Sequence, residues 1–138
     1  MAHHRLGNLS HICLTVRDFA VSVPFYDQIM DFLGYRRSET RDDYVEWDGP
    51  AGWFILRPAR GGAADRTHDR TSPGLHHLAW RAAGRGEADA LADRLQIMGA
   101  TIESGPADQP YYGDGYYAVF FLDPNGIKLE LAHTPAAG

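Results

Sequence analysis

The sequence predicts an α+β fold in which one chain carries two copies of a β-α-β-β-β module. Three observations predict it. A short strand with two unlike faces occurs twice, a helical stretch closed by glycine follows each copy, and three further strand-like runs follow each helix. The chain has 138 residues, 44% of them hydrophobic and 22% charged, which suits one compact domain with its own core.

The first strand lies in "LSHICLTVRD", where Ile12, Leu14 and Val16 alternate with His11, Cys13 and Thr15. Its repeat is "LHHLAWRA", with His77-Leu78-Ala79-Trp80 matching His11-Ile12-Cys13-Leu14. The helix after the first strand is expected in "SVPFYDQIMDFLGY", with Ser22 as N-cap, Pro24 in the first turn and Gly34 at the end. In the second copy Ala88, Leu91, Ala92, Leu95 and Met98 keep helical spacing, and Gly99 stops the run. The match of Gly34 with Gly99 repeats the register given by His11 and His77.

The remaining strands are expected in "YRRSE", "YVEW" and "GWFILRP" of the first copy, and in "TIES", "YYAVFFLD" and "IKLELA" of the second. The modules are bounded at 6–58 and 74–133, and the polar, Gly-rich segment 59–73 is a linker inside one domain, 1–138. "DPNG" between two apolar runs reads as a hairpin turn.

Composition excludes several classes of function. A formal net charge of -5 without a basic cluster argues against nucleic acid as a partner. No apolar run has the length of a membrane span and the first residues lack a secretory pattern, so a cytoplasmic protein is expected. Cys13 is the single cysteine, which rules out an intrachain disulfide and a cysteine-based zinc cluster. A metal would have to use histidine and carboxylate.

Alternation decides which histidine is available for that. His76 is in phase with the apolar Leu78 and Trp80, whereas His77 is in phase with Ala79 and Arg81 and faces away, as His11 does. His76 is read as structural or as flanking the site. His3, His4, His68 and His133 read as solvated ends or linker. On the last strand, Ile127, Leu129 and Leu131 make the apolar face and send Glu130 to the other side. An ionised carboxylate there needs a cation, an arginine or a solvent-filled cleft. A metal held by His11, His77 and Glu130 would satisfy it, and this donor set suits Fe, Mn, Zn or Ni with positions left open for substrate. A strand histidine that has simply found a hydrogen bond is the plain alternative.

The stretches "LSHICLTVRD", "PFYDQIMDFLGYR", "GLHHLAW" and "VFFLDPNGIKLEL" resemble the vicinal oxygen chelate superfamily, which includes glyoxalase I, bleomycin-resistance proteins, extradiol dioxygenases and fosfomycin-modifying enzymes. The resemblance spans nearly the whole chain outside the termini and the linker. It implies a glyoxalase-like fold whose two curled mixed sheets surround a cleft, with ligands at His11, His77 and Glu130, and it implies a homodimer. The family's fourth ligand position falls on Leu56 when Gly52 is matched with Gly126, and leucine binds no metal. That departure speaks against an isomerase of the glyoxalase I type.

A symmetric hairpin around "DPNG" would set Val119 opposite Glu130 and bring Tyr117 to the same face, as a proton donor or as a packed aromatic. A bulge would reverse this. Arg81, two residues beyond His77, is a candidate to hold a substrate carboxylate or to pair with a surface acid. Cys13 is a small buried hydrophobe or a reactive thiol. The tyrosine-rich loop 106–117 suits a mouth that stacks on a flat ligand, or an interface. The expected function is a divalent-metal-dependent enzyme, dioxygenase-like or lyase/transferase-like, acting on a small and aromatic or oxygen-rich substrate. The alternative is a metal-free drug-binding or natural-product-binding protein of the bleomycin-resistance type.

Overall fold

The structure is a computed structural model that describes residues 5–135, so the expectations for His3 and His4 lie outside the described residues. The chain divides into two compact units, Met1–Thr67 and His68–Gly138, with the boundary inside the 59–73 linker. Each unit is a β-α-β-β-β module. Among the described residues no helix is long and apolar enough to cross a membrane.

The first unit runs β1 (His11–Val16), α1 (Phe19–Leu33), β2 (Arg36–Arg41), β3 (Tyr44–Gly49) and β4 (Gly52–Pro58). Its sheet has the order β1-β4-β3-β2, with β1 parallel to β4 and the other pairs antiparallel. Leu14, Val16, Val45, Trp47, Phe54 and Leu56 are buried on one face, where Phe25, Tyr26, Ile29 and Met30 of α1 are buried too. Tyr26 packs on Phe54 with ring centroids 5.3 Å apart. Each large apolar side chain so covered contributes roughly 1.5–3 kcal/mol. The linker is not wholly irregular, since Gly61–Asp65 forms a short 3-10 turn.

The helix α1 begins earlier than the sequence indicates. Asp18, not Ser22, is the N-cap, and its carboxylate accepts from Ala20 N at 2.9 Å. Ser22 is buried within the helix and Pro24 lies inside it. One missing N–H is outweighed by the better cap and by the buried face that continues through Phe25 and Tyr26. Gly34 ends the helix in the left-handed conformation, at φ +86°.

The second unit runs β5 (His77–Arg81), α2 (Arg85–Met98), β6 (Thr101–Asp108), β7 (Tyr117–Leu122) and β8 (Lys128–His133). Its sheet order is β5-β8-β7-β6, the counterpart of the first. Ala88, Leu91, Ala92 and Leu95 of α2 are buried together with Val119, Phe121, Leu129 and Leu131 of the sheet. The strand β6 is longer than the sequence indicates and takes in Pro106 to Asp108, so the tyrosine-rich loop is shortened to a 3-10 turn at Pro110–Tyr112 and its flanks.

Turn length fixes the register in each unit. In the first, Gly49 pairs with Gly52 across a two-residue turn. Gly52 has φ +105°, and a Cβ there would stand 2.3 Å from Ser10 O, beside the point where Trp53 N donates to the same carbonyl. That close approach seats the start of β4 against His11. Gly52→Ala is expected to destabilise the chain by more than the ~1–2 kcal/mol of a left-handed non-glycine residue. Gly62→Ala, with open space around it, should stay within about 0.5 kcal/mol of the parent. Urea denaturation of the full chain measures both.

Candidate functional site

The face of each sheet that turns away from its helix carries the polar chemistry. In the second unit, Ala79 pairs with Glu130 and Glu130 with Phe120, so His77, Ala79 and Arg81 share a face with Glu130, Ala132 and Phe120. Glu130 is 2% exposed. A carboxylate this buried must be partnered, and both of its oxygens are: His77 Nε2 stands 3.3 Å from Oε1, and the Tyr116 hydroxyl donates to Oε2.

His77 is fixed from its other side by His76, the two Nδ1 atoms lying 2.8 Å apart. One of these nitrogens carries the shared proton and the other accepts it. With the proton on its own Nδ1, His77 presents a lone pair at Nε2; with the proton on His76, it donates from Nε2 to Glu130. The exposed His76 is thus a flanking group that orients His77, and no part of the core.

Tyr117 does not reach Glu130. Leu122 pairs with Lys128, which leaves a five-residue connection, 123–127. Asp123 Oδ1 accepts from both Asn125 N and Ile127 N at 2.8 Å and holds that connection closed. A symmetric turn about "DPNG" would pair Val119 with Glu130; the extra residue pairs Phe120 with it instead. The alternation therefore turns Tyr117 to the helix side, where its hydroxyl donates to Asp89 Oδ1 at 2.5 Å and that bond raises its pKa. Tyr116 takes the place at Glu130. Burial first, and then the hydrogen bond to Glu130, push the Tyr116 pKa far up, so the phenol stays protonated as a donor.

Arg81 stays on the site face. It donates from Nη1 to Thr134 Oγ1 at 2.6 Å and lines a depression of about 210 Å³ with Tyr116, Ala79 and Ala132. Tyr112 packs against Tyr116 with centroids 5.4 Å apart, and Tyr111 packs edge-on to Tyr112. The tyrosines form a ladder from the exposed Tyr111 to the hydroxyl on Glu130. His68 is no solvated linker residue, since its Nε2 meets Leu75 O at 2.7 Å.

In the first unit, His11 opens β1 on the corresponding face, and its Nδ1 lies 3.0 Å from Ser10 Oγ. Cys13 is exposed, not buried. The residue equivalent to Glu130 is Ile55, because Cys13 pairs with Ile55 as Ala79 pairs with Glu130. Leu56 faces the helix. The glycine match misplaced this position by one residue because the β3–β4 turn is shorter than the β7–β8 connection. An aliphatic residue occupies the place in either register.

A carboxylate nevertheless stands on this face, one strand further in. Glu46 pairs with Ile55 and accepts from Tyr44 at 2.5 Å and from Ser38 Oγ at 2.7 Å. These bonds, Tyr44 first, hold its pKa below the ordinary glutamate range. Its signal was present in "YVEW", where Val45 and Trp47 claim the core side. His11, Cys13, Tyr44, Glu46, Trp53, Ile55 and Arg57 together enclose a concavity of about 520 Å³.

His77 Nε2 and Glu130 Oε1 are spaced as two ligands of one divalent ion would be. Two donors that each bind one ion at about 2.1 Å subtend roughly 100° when 3.3 Å apart, within the range of tetrahedral and octahedral sites. Among the described residues, no three His, Cys, Asp or Glu side chains are gathered so as to hold a metal ion. His77 and Glu130 are an adjacent pair, and His11 belongs to the other unit.

Comparison with known proteins agrees with this architecture. Residues 8–131 match the family model of the Glyoxalase/Bleomycin resistance protein/Dioxygenase superfamily. The uncharacterized protein YqjT of Bacillus subtilis is 28% identical over 123 residues, covering 89% of this chain and 96% of that protein. A solved structure from Bacillus halodurans superposes with a TM-score of 0.84 at 28% identity, covering 94% of this chain and 97% of that one. A glyoxylase/bleomycin resistance protein/dioxygenase domain from Frankia gives 0.77 at 28% identity, covering 94% and 98%. With the paired modules, the matched register of both sheets and a family match over nearly its whole length, the chain belongs to the glyoxalase/bleomycin resistance protein/dioxygenase superfamily.

Proposed function

We propose that this chain is a divalent-metal-dependent enzyme of its superfamily, acting on a small substrate that presents neighbouring oxygen atoms. His77 and Glu130 of the second unit and His11 of the first would hold the ion, which is Fe, Mn, Zn or Ni by the nature of the donors. The observation that carries this reading is the buried Glu130 carboxylate set against His77 Nε2 at 3.3 Å. A bound ion would supply Lewis acidity, polarising the substrate oxygens.

The remaining residues have supporting work. Tyr116 occupies Glu130 Oε2 and leaves Oε1 toward His77, so the carboxylate is presented through one oxygen. His76 fixes the ring plane of His77. Phe120 and Ala132 beside Glu130 keep water from the carboxylate and strengthen its electrostatic interactions. Arg81 offers a cation on the wall of the adjoining depression. A homodimer with two equivalent sites, the arrangement the family resemblance implies, fits the reading.

Two observations favour the second reading, a metal-free binder of a drug or natural product. Ile55 puts an aliphatic group at the counterpart of Glu130, and Tyr111 and Tyr112 stand exposed as stacking surfaces. Metal content separates the two. Protein purified without chelators is expected to carry about one transition metal per chain, and His77→Ala and Glu130→Ala to carry none, by mass spectrometry. Parent protein that stays metal-free after reconstitution overturns the enzyme reading. Tyr116→Phe is expected to keep the stoichiometry and lose about tenfold or more in metal affinity, read by competition with a chelating dye, while Tyr117→Phe changes neither.

A further inference from the structure

We propose that Arg57 anchors the anionic end of a flat, oxyanion-bearing ligand on the open face of the first unit. The inference deepens the function proposed above by naming the class of substrate that face takes.

Trp53, Ile55 and Arg57 alternate along β4 and so share its open face, within the concavity of about 520 Å³. That volume lies within the usual range for small-molecule sites. Trp53 stands beside His11, and Arg57 beside Thr15. At about 3.3 Å per residue the two rows are roughly 13 Å apart. Between them the floor is Ile55, and Trp53 is 44% exposed, which leaves part of its indole in water.

The charges on this face are unequal in availability. Glu46 has both oxygens engaged, by Tyr44 and by Ser38, and its negative charge keeps an anion from the middle of the face. Arg41 lies over the Tyr44 ring at 4.2 Å but is paired with Glu39 at 2.9 Å. Arg57 lies over the same ring at 4.9 Å and has no ion pair among the described residues. Stacking on Tyr44 orients its guanidinium and leaves the N–H fork open, the geometry that takes a carboxylate or phosphonate through two bonds. The second unit has Ala132 at the corresponding place, paired with Arg81 as Arg57 is with Thr15, so this cation is particular to the first unit. A ligand with its oxyanion at Arg57 and its planar body on Ile55 and Trp53 extends toward His11.

The test is isothermal titration of the full chain, treated with chelator and then freed of it, with 1-naphthoate, 1-naphthamide and acetate. Naphthoate is expected to bind at least about tenfold more tightly than naphthamide, as one charge-assisted contact provides, and acetate not measurably. Arg57→Ala should abolish the preference, Arg57→Lys should restore part of it, and Trp53→Ala should weaken both aromatic ligands. Circular dichroism of each variant checks the fold. Equal affinity for the two aromatic ligands, a preference that survives Arg57→Ala, or no binding of naphthoate overturns the proposal. Metal content of the same Arg57 variants keeps the two ideas apart: a chain that holds metal but shows no Arg57-dependent selection refutes only this inference, and one that selects naphthoate but holds no metal refutes only the enzyme reading.

Discussion

Each unit has one helix for four strands, and that helix covers one face of its sheet. Because a strand sends successive side chains to opposite faces, the register of each strand decides which residues stabilise the unit and which are left for chemistry. Leu129 and Leu131 go to α2 and Glu130 goes the other way; Val45 and Trp47 go to α1 and Glu46 goes the other way. A one-residue slip in β8 would put a carboxylate into the helix interface and two leucines into the site. The core therefore enforces the position of the functional groups, and no separate device is required to hold them.

The buried Glu130 shows how the site face meets the cost of its own polarity. A carboxylate that is almost wholly removed from water is destabilising unless each oxygen has a partner. His77 and Tyr116 provide one each, and His76 in turn orients His77. The same contacts that make the group tolerable also fix its orientation, so its stability and its placement have one structural origin.

The two units share a topology but differ in what the repeated positions carry. The second places a carboxylate at Glu130 where the first has Ile55, whereas the first places Glu46 where the second has Phe120. A cation, Arg57, stands in the first where the second has Ala132. The repeat thus supplies two similar scaffolds with complementary equipment, one with the adjacent His77–Glu130 pair and the other with an open, partly aromatic concavity.

The sequence by itself determined the module order, both glycine helix ends, the strand segments other than the far half of β6, and the phase of His11, His77 and Glu130, because these depend on local periodicity and on residues with strong conformational preferences. Glu46 was not singled out by the sequence, although the alternation of "YVEW" carries its phase, because β3 has to be set against β4 before that residue joins the face. Only the tertiary structure decided which side chains stand across from one another. The length of a turn that is closed by its own hydrogen bonds, as 123–127 is by Asp123, sets strand pairing without leaving a mark in the alternation of either strand. That single residue exchanges Tyr117 for Tyr116 at Glu130, and its shorter counterpart in the first unit exchanges Leu56 for Ile55. The helix start at Asp18 was settled in the same way, by a cap and a buried face that together outweigh what Pro24 removes.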